Sequence, residues 1–199
     1  MKLKSLVLAV SLSVGLSSSL LAEKFDYRVL ATTKTSTMER EMNQAADAGF
    51  AFGGVMGGES AAGGKEVLVV MAKAEGKPST GRKYVLIAAS KTGTLQKELQ
   101  QAGDEGFQYC GQTIFESALG GREVSIILEH QPNAKRVIYQ VLATSKTSTM
   151  EKKLKQAGDG GFQFLSVVVG KTLFGGNEVI SILQKVVIES AYLQLALKV

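Results

Sequence analysis

Lys146-Thr147-Ser148-Thr149-Met150-Glu151 runs on through Lys152 to Asp159-Gly160-Gly161-Phe162-Gln163-Phe164. The same pattern occurs twice more. Lys34-Thr35-Ser36-Thr37-Met38-Glu39 leads to Asp47-Ala48-Gly49-Phe50-Ala51-Phe52, and Lys91-Thr92-Gly93-Thr94-Leu95-Gln96 leads to Asp104-Glu105-Gly106-Phe107-Gln108-Tyr109. The copies align without a gap as Tyr27–Lys73, Tyr84–His130 and Tyr139–Lys185, each of 47 residues, and the first and third share about half their residues. Repetition at this period marks one supersecondary unit used three times. Domain boundaries follow as 23–73, 84–130 and 139–185. The connectors Ala74–Lys83, with Gly76, Pro78 and Gly81, and Gln131–Ile138, with Pro132, have the composition of exposed links.

Outward from the repeated stretch, the periodicity changes twice in each unit. Tyr27–Thr32, Tyr84–Ala89 and Tyr139–Thr144 are rich in strand formers. Ser36 with Glu39, and Ser148 with Glu151, have the spacing of a capping box; Gly93 with Gln96 is its weakened counterpart. Met38, Met42 and Ala45 then fall at i, i+4, i+7, as do Leu95, Leu99, Ala102 and Met150, Leu154, Ala157. This is one apolar helical face that needs a sheet to cover it. Gly49, Gly106 and Gly161 stand where a left-handed residue ends a helix. A second strand follows, clearest at Phe162–Val169. A Gly-Gly connector (Gly63-Gly64, Gly120-Gly121, Gly175-Gly176) then leads to a third strand at Glu66-Val67, Glu123-Val124 and Glu178-Val179.

Each unit is therefore β-α-β-β. The helix makes strands one and two parallel, and the short link makes strands two and three a hairpin. Strand order 1-3-2 satisfies both constraints. It also predicts pairs of Lys34 with Glu66, Lys91 with Glu123 and Lys146 with Glu178. The fold class is α+β: three tandem β-α-β-β repeats, each a small sheet with one covering helix. A unit this small is marginal alone, which favours three packed as a pseudo-symmetric body, with separate units on linkers as the alternative.

At the helix exit, Gly103-Asp104-Glu105-Gly106-Phe107-Gln108-Tyr109 resembles the small bacterial domain-of-unknown-function family numbered 4177. Its members look like a β-α-β-β unit whose helix closes with Gly-x-x-Gly-Trp-Glu-Leu. Here Phe replaces Trp, Gln or Ala replaces Glu, and Ala46 replaces the first Gly of the first unit. The resemblance covers the three units and neither terminus. It implies a fold and no known activity.

Residues 1–22 read as a secretory signal peptide: Lys2 and Lys4, a serine-diluted apolar run from Ser5 to Leu21, and cleavage after about Ala22. The run is short for a spanning helix, and with no cysteine near the cleavage site lipid attachment there is ruled out. Loss of Lys2 and Lys4 takes the net charge from +5 to +3. With basic residues scattered and not interleaved with aromatics, this speaks for solubility and against nucleic acid. No mature segment reaches the roughly 18 apolar residues of a spanning helix, so no stable membrane insertion is expected. The expected location is periplasmic or secreted. The tail 186–199 has no counterpart in the other units on this alignment. Its Ala191–Leu197 alternates loosely, as an extra strand or a short helix would.

Catalytic readings are sparse. Cys110 is the only cysteine and takes the place of Gly53 and Leu165, a small apolar filler. His130 is the only histidine, at a strand end where the other units have Lys73 and Lys185, and reads as solvated. No His/Cys set has metal-ligand spacing. The glycine pairs precede strands, unlike a phosphate loop. Lys91-Thr92-Gly93 lacks the Ser-x-x-Lys and Ser-Asp-Asn partners of penicillin-binding enzymes. No cofactor is expected. One constellation survives: Lys34, Thr35, Lys91, Thr92, Lys146 and Thr147 precede the helices, where N–H groups, the helix dipole and an ammonium could hold an anion, most effectively if a pseudo-threefold axis gathered the three ends. The rival reading is helix capping, with the lysines solvated or paired.

These observations predict a non-catalytic binding or scaffolding module whose partner is a protein, an envelope component or a small ligand. Two rivals stand beside it: an envelope hydrolase using the repeated Lys, Thr and Glu, and a structural protein that self-associates through an edge strand.

Overall fold

The computed structural model describes residues 23–59, 65–116, 122–171 and 177–187. The leader, the three Gly-Gly connectors and the tail beyond Val187 lie outside the described residues. Three units follow one another. The first is β1 (Phe25–Thr32), α1 (Thr35–Asp47), β2 (Ala51–Glu59) and β3 (Lys65–Ala74). The second is β4 (Lys83–Ala89), α2 (Thr92–Asp104), β5 (Gln108–Glu116) and β6 (Arg122–His130). The third is β7 (Val137–Thr144), α3 (Thr147–Asp159), β8 (Gln163–Lys171) and β9 (Asn177–Val186).

Each sheet has the order first–third–second strand, as read from the sequence. Both outer strands pair antiparallel with the central one. The second strand of every unit carries a bulge at the same place, at Gly53, Cys110 and Leu165. A bulge bends a strand and lets one residue escape the ladder, so three unlike side chains are tolerated there. The helices leave through Gly49, Gly106 and Gly161 at φ 92°, 88° and 82°, the left-handed region where a Cβ is strained.

The expected capping box does not form. The cap residues are Lys34, Lys91 and Lys146, two positions earlier, and none has a side-chain cap bond. Thr32 and Thr144 Oγ1 accept instead from the N–H of Lys34 and Lys146, at 3.1 and 3.2 Å. The expected Lys–Glu pairs are also absent. The salt bridges among the described residues are Lys77–Glu23, Arg82–Glu129 and Arg136–Asp104. Lys73 and Lys185 turn to the helix exits and donate to the carbonyls of Ala48 and Gly160, at 2.8 and 3.0 Å, where the helix dipole is negative. His130 holds the equivalent place in the second unit, half-buried against Phe107 (ring centroids 5.3 Å apart), and not simply solvated.

The units pack as an open stack and not about a threefold axis. Helix α1 lies between its own sheet and the sheet of the second unit. One core joins Met38, Met42, Val69 and Met71 to Tyr84 and Ile127. Helix α2 lies likewise between the second and third sheets, joining Leu95, Leu99 and Leu128 to Tyr139 and Ile182. Helix α3 covers its own sheet through Met150, Ala157 and Leu183, and among the described residues no sheet lies on its other side. The order of layers is sheet, helix, sheet, helix, sheet, helix. Each helix and sheet thus shares its apolar surface with a neighbour, which relieves the small buried area of a single unit.

Candidate functional site

The first strand of each sheet is an edge, so half its N–H and C=O groups point away from the ladder. In the second and third units the preceding helix answers them. Asn43 Nδ2 donates to the Tyr84 carbonyl at 2.9 Å, Tyr84 N–H donates to Asn43 Oδ1 at 2.9 Å, and Leu86 N–H donates to Glu39 Oε2 at 2.8 Å. One layer on, Gln100 Oε1 accepts from Tyr139 N–H at 3.0 Å. Gln96 accepts from Val141 N–H at 2.7 Å and donates to the Tyr139 carbonyl at 2.9 Å. Helix side chains act here as a substitute strand. Close approach is part of the device. A Cβ on Gly103 would stand 2.3 Å from the Val137 carbonyl oxygen and 2.8 Å from the Tyr139 ring.

The tyrosine that opens each first strand completes the joint. Tyr84, 3% exposed, accepts from Phe52 N–H at 2.9 Å and donates to Glu129 Oε2 at 2.5 Å. Tyr139, 2% exposed, donates to the Phe107 carbonyl at 3.0 Å. Burial pushes both phenols above their usual range; for Tyr84 the bond to Glu129 adds to this. The Glu129 carboxylate also receives Arg82 Nε at 3.1 Å and Gln131 Nε2 at 2.5 Å. This is the densest polar cluster among the described residues, and its donors are used up in holding the second unit. Cys110 beside it has a thiol pushed up to about 12, mainly by burial and then by the Glu129 charge. It is a protonated filler and not a nucleophile at neutral pH.

The lysines and threonines that precede the helices do not converge. Lys34 and Thr35 border a cleft against the second sheet with Leu86, Thr113, Ser125 and Ile127. Ser125 Oγ is buried there without a hydrogen-bond partner. The cleft leaves about 10 Å³ for the centre of a water-sized molecule, room for about one water and none for a polyatomic anion. Thr92 Oγ1 instead donates to Glu178 Oε2 of the third unit at 3.4 Å, beside Lys91. Lys146 and Thr147 open α3, the last helix among the described residues. Among the described residues, no three His, Cys, Asp or Glu could hold a metal together. No helix there is long and apolar enough to cross a membrane.

The two ends of the stack complete the inventory. The outer face of the first sheet carries Phe25, Tyr27, Val29, Met56 and Val70, all exposed, with the Phe25 and Tyr27 rings stacked at 6.2 Å. Tyr27 is 65% exposed where its counterparts are buried. The other end exposes Phe164, Val167 and Val169 on β8, beside α3. No family model, curated protein or solved structure matches the chain.

Proposed function

We propose that this chain is a non-catalytic binding or scaffolding module acting outside the cytoplasmic membrane. The observation that carries the reading is the open face of the first sheet. It has the same apolar make-up as faces that a helix covers elsewhere in the chain, yet Tyr27, Val29 and Met56 stand in water. Contiguous exposed apolar surface of this kind marks an interaction site. A hydrolase built on the repeated Lys, Thr and Glu would need them in one cleft, and they stand one layer apart in three settings. The likeness to family 4177 supports the unit fold and adds no activity. The reading of the leader as a signal peptide supplies the compartment.

Native mass spectrometry of the protein, purified gently from its own envelope or medium, tests the reading. We expect a bound species that is released on denaturation and lost in Val29→Glu. A bare chain in both proteins would overturn it.

A further inference from the structure

The two open ends of the stack are complementary, because they are the two halves of a joint that the chain makes twice internally. Eight of the nine large apolar side chains left exposed among the described residues lie on one end or the other; Val186 is the ninth. A capped repeat array carries polar residues on its terminal faces. Here Tyr27 and Val29 occupy the places of the buried Tyr84 and the half-buried Leu86, and Val70 that of the buried Ile127. On the facing side, Glu151 stands where Glu39 and Gln96 accept from a strand edge, and Lys155 where Asn43 and Gln100 donate to one. Both α3 residues are exposed.

Gly158 adds an independent sign. It holds the place of Gly103, whose missing side chain lets the next unit approach, yet a Cβ on Gly158 would meet nothing within 4 Å. A glycine inside a helix costs about 0.5–1 kcal/mol relative to alanine. Nothing among the described residues requires that cost.

We propose that copies of this chain assemble head to tail. The α3 and β8 face of one copy seats on the open face of the first sheet of the next, in the geometry that joins the units within one chain. Glu151 takes the Val29 N–H, Lys155 reaches the Tyr27 carbonyl, and Gly158 clears Tyr27. The contact is heterologous, so an unclosed series grows into a linear assembly. This deepens the binding reading by naming the partner, and it rests on that reading.

One competitor for α3 lies in the chain itself. Tyr192, Leu195 and Ala196 in the tail repeat the spacing of Tyr27, Leu30, Ala31 and of Tyr139, Leu142, Ala143. A single strand, however, cannot cover both ends of the stack. A second copy covers both.

The test uses sedimentation of the purified mature protein over a range of concentrations. Wild type should grow in mass beyond a dimer. Gly158→Leu blocks one end and Val29→Glu the other, so each alone should stay monomeric with its circular dichroism unchanged. Their equimolar mixture should form a 1:1 dimer and stop. A wild type that is monomeric throughout overturns the proposal, as does association indifferent to Gly158→Leu. A monomer in which Gly158→Leu lowers the melting temperature also overturns it and puts the tail on α3. If the purified monomer still shows the Val29-dependent bound species from the envelope, the binding reading survives with another partner; if it shows none, both fall.

Discussion

The central strands of the first and second units share a pattern and differ in burial. In β6 every residue from Val124 to Glu129 is buried. In β3, Val67, Val69 and Met71 are buried while Val70 is exposed. Among the described residues the second sheet has a helix on each face, and the first has one. The same contrast separates α1 and α2, which hold a following strand edge, from α3, which holds none among the described residues. Burial in this protein is thus a property of the neighbour as much as of the residue. Substitutions at equivalent positions should therefore have unequal effects.

Gly103→Ala should show the largest difference. Its Cβ meets backbone at 2.3 Å, so denaturant unfolding should show a loss of about 2–3 kcal/mol from overpacking. Gly158→Ala, with open space around it, should gain about 0.5–1 kcal/mol. A loss at both would mean that α3 is covered within the monomer.

Tyr84→Phe should cost about 2 kcal/mol, because it strands a carboxylate oxygen of Glu129 and the Phe52 N–H. Tyr27→Phe should change the melting temperature of the monomer little. Asn43→Ala should cost about 1 kcal/mol by releasing both edge groups of Tyr84, against almost nothing for Lys155→Ala.

Alkaline pH reads the same joints without a substitution. The Cys110 thiol and the Tyr84 and Tyr139 phenols are held above their ordinary values of 9.0 and 10.0 in the folded chain. The unfolded chain therefore loses these protons first. Their stabilisation is complete below pH 9 and falls as pH rises toward 12. Tyr84→Phe should reduce that slope. Urea titrations between pH 8 and pH 11 read this directly.

Much of the unit was legible in the sequence. The helical stripe, the glycine exit and the short link between strands two and three fix β-α-β-β in the order 1-3-2, because these are local signals with one steric solution. The joint between units was not. Ser36 with Glu39 has the spacing of a capping box, but the same carboxylate serves Leu86 in the next unit, and spacing along one helix cannot say which donor lies nearer in space. Lys34, Lys91 and Lys146 recur beside the repeated glutamates, yet they stand at the helix N-caps and form none of the salt bridges among the described residues. Gln96 reads along its helix as the weakened capping partner of Gly93, and no local pattern singles out Gln100. Their recurrence at the places of Glu39 and Asn43 was the available signal. The Arg82–Glu129 contact has no echo in the other units, so repetition could not reveal it. The six Lys and Thr positions were expected to gain by meeting at one axis, and a stack keeps them apart.

Residue-resolved amide hydrogen exchange in dilute, monomeric solution tests the stacked arrangement most directly. Leu86 and Val141 N–H, held by Glu39 and Gln96 of the preceding helices, should be strongly protected, while the equivalent Val29 N–H exchanges fast. Equal, rapid exchange at all three would contradict the stack and leave three separate units on linkers.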